Sequence, residues 1–186
     1  MMAVNFPERV ETYRLVLSRP ADADLPDLVT LHTDPRVMAT LGGLRTAEGL
    51  DAMHRRLFDC WDRDGFGWWV ARHRPDGRFV GRGGLRRVHV GGSDEVEVGY
   101  GLAPAFWGQG LATELAREGV RVGFEVLGRP DLVSFTLPTN TQSRRVMGKA
   151  GFRHDRDVEH AGLPHVLYRL RREEWAQGVT NDFQGG

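Results

Sequence analysis

One stretch, residues 95–127, constrains the fold of this chain more than any other. From Glu95 to Tyr100, apolar residues alternate with charged or small ones, which is the period of a β-strand. Pro104 cannot continue the strand ladder because it has no N–H to donate. A glycine turn follows, and apolar residues then recur at helical spacing from Leu111 to Val126. The predicted order is therefore strand, short loop, glycine turn, helix.

That order predicts a site for a phosphate or pyrophosphate. The first turn of a helix has unpaired N–H groups and a partial positive charge. Gly108 and Gly110 have no Cβ, so a ligand can approach the backbone closely. The only ionisable side chain of the turn, Glu114, stands at its far edge, so backbone amides would do the binding. A glycine turn that only solves a packing problem is the alternative.

Two other phosphate-binding patterns do not fit this turn. The loop of nucleotide triphosphatases requires a lysine after its last glycine, and none follows Gly110. The dinucleotide fingerprint requires glycine or alanine where this chain has Thr113, and it follows its strand directly, whereas residues 103–107 intervene here.

The composition limits the class of protein. A chain of 186 residues favours a single domain, 1–186, with its core at about 10–172 and a frayed tail at 173–186. The 25 acidic and 25 basic residues give no net charge, so no broad field for nucleic acid is expected. Cys60 stands alone, which excludes a disulfide framework. No stretch resembles a signal peptide or a membrane span, so a cytoplasmic protein is expected.

The remaining periodicities predict an α+β (mixed α/β) domain with an antiparallel-rich sheet. Predicted strands lie at 12–17, 67–72, 78–90, 132–137, 153–158 and 165–170, and predicted helices at 21–33, 46–63 and 139–149, with a further helical turn after 173.

Several residues mark the ends of these elements. Asp22 or Asp24 is expected to cap the first helix, which ends at Asp34-Pro35, and Thr46 to cap the second. Gly151 is expected to end the last helix. Three glycines, at 81, 83 and 84, predict a bulge or a close backbone approach within the strand at 78–90.

Two motifs and the order of elements resemble the GCN5-related N-acetyltransferase (GNAT) superfamily, and within it the branch of the ribosomal-protein-alanine acetyltransferases. The first motif runs from Glu97 to Tyr100 and on through Pro104 to residues 107–114. The second comprises residues 140–147, with 149–152 behind it. The order of elements matches over 12–170, which is nearly the whole chain. One departure is Trp107, where the general superfamily pattern has glutamine or arginine.

The resemblance implies a central, mostly antiparallel, splayed sheet flanked by about four helices, and acetyl-CoA as co-substrate with no metal or redox cofactor. The pantetheine arm would pair as an added strand along unpaired backbone. The residues that would contact acetyl-CoA are Tyr100, Leu102 and Ala103 along the pantetheine, Gly108, Gln109, Gly110, Leu111, Ala112 and Thr113 around the pyrophosphate, and Asn140 and Ser143 beyond them.

Acetyl transfer to an amine needs a base, a stabilised oxyanion and a proton for the departing thiolate. The resemblance implies that Ser143 serves the thiolate; the alternatives are an ordinary first-turn helix serine, or Tyr100 as the acid. Glu97 is the candidate base, acting through water, unless Glu95 and Glu97 form a solvent-facing charged row. The oxyanion would be bound by the backbone N–H of Val98 or Gly99.

Several histidines and tryptophans are further candidate site residues. His154, His160 and His165 lack the spacing of a zinc site and have no cysteine partner, so surface positions are expected. His32 would either contact the acceptor or pack in the core. The same two alternatives apply to Trp61, Trp68 and Trp69.

The function that follows is an N-acetyltransferase that moves acetyl from acetyl-CoA to a primary amine by direct attack in a ternary complex. The acceptor would be a protein N-terminus or a small-molecule amine such as an amino acid, a polyamine or an antibiotic. Neither nucleic acid nor a membrane is expected as a partner; homodimers are frequent in this superfamily. The alternative from another class is a non-catalytic acyl-CoA-binding sensor module.

Overall fold

Eight strands form one open sheet in the computed structural model, which describes residues 5–177. In chain order the strands are β1 (Arg9–Glu11), β2 (Leu15–Ser18), β3 (Trp68–His73), β4 (Phe79–Val90), β5 (Ser93–Leu102), β6 (Asp131–Thr136), β7 (Arg153–His160) and β8 (Leu163–Arg171). The helices are α1 (Leu25–Thr33), α2 (Pro35–Met38), α3 (Ala47–Asp64), α4 (Leu111–Glu125) and α5 (Thr141–Lys149), with 3₁₀ turns at Asp22–Asp24 and Pro104–Phe106. Residues 172–177 are helical as well.

The sheet order is β1-β2-β3-β4-β5-β6-β8-β7, and all neighbours are antiparallel except β5 and β6. Those two parallel strands share a single register pair, Glu97 with Val133, and then separate. The predicted fold class, a splayed and mostly antiparallel sheet, is therefore confirmed. Within residues 5–177 four helices have nine or more residues, as predicted.

Helices cover both faces of the sheet. Because successive strand residues point to opposite faces, Trp69 and Val70 mark the two sides of β3. Val70 packs with Leu28 of α1 and Leu57 of α3. Trp69 belongs to the main core, into which α4 inserts the apolar side predicted from its spacing, with Leu115 fully buried.

The short elements were the ones that the periodicity missed. Strand β1 has only three residues, too few to show a period. Helix α2 begins where α1 was expected to end, because Asp34 accepts a hydrogen bond from the Arg36 N–H at 2.9 Å and Pro35 suits a first helical position. Of the predicted tail at 173–186, residues up to 177 are helical, and residues 178–186 lie outside the described residues.

Two of the predicted helix caps are found in the structure, and one is not. Thr46 accepts from the Gly49 N–H at 3.2 Å, and Gly151 has φ of +98° beyond α5, so both are confirmed. The capping of the first helix by an aspartate side chain is wrong. Asp24 precedes α1 but makes no capping hydrogen bond, since its carboxylate accepts from Arg72 and from the Ala21 N–H instead. No helix of residues 5–177 combines the length and the apolar character needed to cross a membrane.

The glycines of β4 allow the close backbone approach predicted for them, and β3 carries a register shift opposite them. A Cβ at Gly81 would lie 2.3 Å from the carbonyl oxygen of Gly101, and one at Gly83 would lie 2.4 Å from Leu115 Cδ2. Neither contact can be relieved without moving backbone or a fully packed core side chain.

We therefore expect Gly81→Ala to lower the free energy of unfolding by about 1–3 kcal/mol, because the added methyl overpacks the β4–β5 pair. Urea denaturation measures this. The matched control is Gly148→Ala in α5, where a Cβ meets nothing within 4 Å. Alanine should there raise stability by up to about 1 kcal/mol. Equal effects of the two substitutions would contradict the close approach.

Candidate functional site

The gap between β5 and β6 leaves backbone groups of β5 without a strand partner. The Ala103 N–H donates to the Val80 carbonyl at 2.8 Å, which fixes the alternation along β5. Odd-numbered residues of this stretch therefore bond toward β4. The N–H groups of Tyr100 and Leu102 face the gap, beyond the last register pair with β6.

The unpaired stretch is shorter than the predicted residues 100–103. Ala103 is fully bonded, since its N–H donates to Val80 and its carbonyl accepts from Phe106 at 2.9 Å. It therefore has no backbone group free for pantetheine. At Leu102 the carbonyl accepts from Trp107 Nε1 at 2.8 Å, so only the N–H of Leu102 remains unpaired toward the gap. By the same alternation the Gly99 N–H bonds toward β4, and the Val98 N–H faces β6, where the Glu97–Val133 register pair takes it up. Neither oxyanion candidate therefore has a free N–H.

The glycine turn presents a row of amides at the start of α4. Gly108 and Gly110 have φ of +72° and +79°, values that favour glycine, and Gly110 is the N-cap with no side-chain cap. Within residues 5–177 the N–H groups of residues 108–113 donate to no other group. Such a row at a helix N-terminus suits a phosphate or pyrophosphate. The geometry predicted for this turn is present; its ligand stays a prediction.

Glu114 ties this turn to the first hairpin. Its carboxylate accepts from Thr12 Oγ1 at 2.6 Å, from the Arg14 N–H at 2.7 Å and from Arg14 Nε at 2.8 Å. Arg14 also donates to the Gln109 carbonyl at 2.8 Å. Burial alone would raise the pKa of Glu114, but these hydrogen bonds outweigh it and the pKa is lowered. Beside this anchor is an open cavity of ≈ 420 Å³, lined among others by Arg14, Arg117 and Arg121.

Asn140, Ser143 and Tyr100 meet on the α5 side of the gap. Asn140 Oδ1 accepts from the Ser143 N–H at 3.1 Å, so it is the N-cap of α5, and its Nδ2 donates to Thr136 Oγ1 at 3.0 Å. The Tyr100 hydroxyl lies 3.0 Å from Ser143 Oγ and 3.1 Å from the Ser143 carbonyl. Burial raises the pKa of Tyr100, so its phenol keeps its proton at neutral pH. The two acid candidates therefore form one hydroxyl pair.

The alternative of a solvent-facing acidic row at Glu95 and Glu97 is wrong. Glu95 is 9% and Glu97 5% exposed. Arg169 pairs with Glu95 through both Nη atoms, and Arg86 Nε donates to Glu97. Both carboxylates are therefore buried and paired with arginine. The Glu97 carboxylate lies beside the splay between β5 and β6, as predicted.

Arg82 and Arg86 are site residues that the sequence interpretation missed. Their guanidinium carbons lie 4.0 Å and 4.6 Å from the Trp68 ring centroid. Both stand on the same face of the sheet as Glu97, because Arg86 is the register partner of Glu97 and Arg82 that of Gly101. The signal was present in β4, where Arg82 stands among three glycines and Arg86 follows four residues later, although Arg87 and His89 make the second half of that strand polar as well.

The three tryptophans have separate roles. Trp61 and Trp69 are 4% and 0% exposed and belong to the main core, whereas Trp68 stacks on the two arginines. His32 is buried in the core, 1% exposed, and its ring bonds to Arg82 and to His54.

The zinc hypothesis gains no support from the geometry. His154 pairs with Asp157 at 2.9 Å, while His160 and His165 have ring centroids 5.8 Å apart. In the part of the chain that the structure describes, no three metal-binding side chains converge. His160 is only half-buried, and its pKa is lowered by burial and then by the charge of Arg86, so its ring is neutral at neutral pH.

Comparison with known proteins bears on this geometry. Residues 14–153 match the family described as Acetyltransferase (GNAT) domain. The FsC-acetyl coenzyme A-N(2)-transacetylase of Aspergillus fumigatus is 32% identical over 191 aligned residues, which cover 94% of this chain and 80% of that protein.

Solved structures agree with the family match. An acetyltransferase from Agrobacterium tumefaciens superposes with a TM-score of 0.78 at 25% identity, covering 88% of this chain and 94% of the other. The aminoglycoside acetyltransferase AAC(6')-Ib, solved in complex with coenzyme A, superposes with a TM-score of 0.72 at 18% identity, covering 89% and 99% of the two chains. The second likeness concerns the fold alone.

Glu114 gives a pH-dependent test of the anchor. Its folded-state pKa lies below the ordinary glutamate value of 4.5, so its ionised form favours folding. That stabilisation is complete above the unfolded pKa and is lost as pH falls through the folded pKa. Glu114→Gln should lower the free energy of unfolding by about 1–3 kcal/mol at pH 7, with the difference shrinking as pH falls below 4.5.

Urea denaturation across this pH range is the measurement. Glu159→Gln, at an exposed site on β7, is the control and should change stability little at any pH. A constant difference between wild type and Glu114→Gln at all pH values would refute the ionised anchor.

Proposed function

Since this chain belongs to the GNAT acetyltransferase family, we propose that it moves an acetyl group from acetyl-CoA to a primary amine by direct attack within a ternary complex. The observation that carries the proposal is the continuity of two unpaired backbone segments. The free N–H groups of β5 at Tyr100 and Leu102 lead into the free amides of residues 108–113. A long ligand with amides at one end and a diphosphate at the other matches both.

Acetyl-CoA is that kind of ligand. Its diphosphate would bind the amides of residues 108–113 at the positive end of the α4 dipole. Its pantetheine amides would pair with β5 at Tyr100 and Leu102 as an added strand. Asn140 would contact the same arm with the donor and acceptor capacity left after capping α5. The complex of the aminoglycoside acetyltransferase with coenzyme A, on the same fold, supports this choice of co-substrate.

Two bound reactants replace a bimolecular encounter, so orientation supplies much of the rate. The neutral amine attacks the thioester carbonyl, the oxyanion forms, and its collapse releases the CoA thiolate. Ser143 Oγ–H would then give a hydrogen bond or a proton to the sulfur. The Tyr100 hydroxyl, 3.0 Å from Ser143 Oγ, would donate a hydrogen bond to that oxygen while Ser143 donates to the sulfur.

Glu97 is the proposed base, and the structure gives it a partner that the sequence did not. Because Arg86 donates to its carboxylate, Glu97 is held in one orientation beside the splay. It would take the amine proton through water. A backbone N–H of β5 beside the splay would bind the oxyanion.

The acceptor class follows from two likenesses. The relative from Aspergillus fumigatus carries acetyl to N(2) of its own substrate, which supports nitrogen as the acetylated atom here. The motif likeness to the ribosomal-protein-alanine acetyltransferases supports a protein N-terminus, and a small-molecule amine is the other acceptor class.

Calorimetric titration with CoA and a thiol-release assay with a panel of amines test the proposal together. We expect CoA to bind the folded protein and thiol release to depend on an amine. Binding without release across the whole panel would favour a non-catalytic sensor instead. A folded protein that gives no heat and no melting shift with CoA would refute both.

Ser143→Ala should lower kcat by about 10²-fold, because a general acid contributes that much or more, and should leave the Kd for CoA nearly unchanged. Tyr100→Phe should lower kcat less, since it removes the support of the donor and not the donor itself. Gln142→Ala, an exposed neighbour in α5, is the control. Equal losses of kcat and CoA affinity in Ser143→Ala would contradict the acid role.

A further inference from the structure

Arg82 is a buried cation without an anionic partner. Its side chain is 3% exposed, and its only hydrogen bond to residues 5–177 runs from Nε to His32 Nε2 at 3.4 Å. The four N–H groups on its two Nη atoms therefore have no acceptor in the described part of the chain. Among the described residues the fully buried side-chain atoms without a partner are Trp68 Nε1 and Arg129 Nε, so the Arg82 Nη atoms keep a small accessible surface through which a ligand can reach them. This guanidinium has the properties of a binding group that awaits a ligand.

The surroundings hold this guanidinium in one orientation. An arginine Nε can only donate, so His32 Nε2 is an acceptor and His32 Nδ1 carries the proton. His32 Nδ1 lies 3.1 Å from His54 Nε2, which then accepts, and the other ring nitrogen of His54 bonds to the Leu28 backbone. Burial and the charge of Arg82 lower the pKa of His32 to about 2, so this chain of rings is neutral. It positions Arg82 without neutralising it.

The local charge favours an anion. Burial and then the charge of Arg86 lower the pKa of Arg82 to about 9, so Arg82 is still cationic at neutral pH. Beside it, Arg86 and Glu97 form an ion pair whose two charges cancel each other. Arg45 adds a further positive charge near His32. The Arg82 charge is thus uncompensated within a cluster of buried side chains.

Shape narrows the class of anion. The Trp68 indole covers one face of the Arg82 guanidinium at 4.0 Å, so the ligand meets the edge of the group, in its plane. Gly101 lies over a face of the group and not at its edge, since a Cβ there would lie 3.3 Å from Arg82 Cζ and 3.5 Å from Nη1. Two Nη atoms on one edge match a planar carboxylate. The Trp68 Nε1–H is buried and without an acceptor in this structure, which adds an unpaired donor to the same cluster.

We propose that the Nη atoms of Arg82 bind a carboxylate of the acceptor, so that the amine acetylated here carries a carboxylate a few bonds from its amino group. The spacing is bounded because Arg82 and Arg86 both stack on the Trp68 indole, with guanidinium carbons 4.0 Å and 4.6 Å from its ring centroid, so these two carbons lie no farther apart than the sum of those two distances. The amine would lie at Glu97, and the carboxylate at Arg82. This inference rests on the proposed acetyl transfer and names the acceptor class for that same site.

The test compares amino acids with their primary amides, which keep the shape and lose the charge. Rates are expressed per neutral amine, because the amide changes the pKa of the amino group. For at least one pair, wild type should prefer the acid by about 10- to 100-fold in kcat/KM, the range for a hydrogen-bonded charge pair. Arg82→Gln should abolish that preference, so that acid and amide react within a few-fold of one another. Arg82→Lys should keep part of the preference.

A binding measurement works without turnover. Calorimetric titration with an N-acetyl amino acid and with its amide, each with and without CoA, should show binding of the acid alone to wild type and of neither to Arg82→Gln. Arg56→Gln, an exposed arginine of α3, is the matched control and should behave as wild type.

Equal binding and equal rates for acid and amide in wild type would overturn the inference, even if Arg82→Gln failed to fold. An acid preference that survives in folded Arg82→Gln would also overturn it. A failure of CoA itself to bind would instead refute the acetyl transfer, while the titrations without CoA still report on Arg82.

Discussion

The separation of β5 from β6 after one register pair is the constraint on which the site depends. Backbone groups in a sheet interior are normally bonded on both sides, and here the ladder stops at Glu97 and Val133. The strands are parallel at that point, so both run on in one direction while they diverge. Strand β4 keeps β5 fixed on its other side through Leu102, paired with Gly81. The free groups of β5 are therefore held rigidly, which suits strand addition by an extended ligand.

The gap has chemically different sides because alternate residues of β5 point to opposite faces of the sheet. Tyr100 reaches the α5 side, where its neutral phenol meets Ser143. Glu97 points to the other face, where it meets Arg86. The hydroxyl pair and the carboxylate–guanidinium pair are thus separated by the strand itself.

The sequence predicted the parts of the site that local rules govern. The alternation from Glu95 to Tyr100, the glycine turn and the spacing of α4 each depend on a few neighbouring residues, and each is found in the structure. Periodicity could not predict which side chains pair when they are far apart in the sequence. Glu97 was identified as a site residue, but its burial depends on Arg86 in another strand. Arg14, which holds both Glu114 and the Gln109 carbonyl, is about a hundred residues away from the turn it supports.

The cluster around Arg82 shows why such pairing matters for function. A strand that carries Gly81, Gly83 and Gly84 looks like a purely structural device for close packing. Yet Arg82 stands between them, opposite Gly101, with its Nη donors unpaired. Its register partner Gly101 has no Cβ to crowd it, since one there would lie 3.3 Å from Arg82 Cζ, and the His32–His54 chain fixes it with neutral rings. If Arg82 had a carboxylate partner within the chain, as Arg169 has in Glu95, it would have no donors left for a ligand. Leaving the cation unpaired costs stability, and this cost is recovered only when an anion binds.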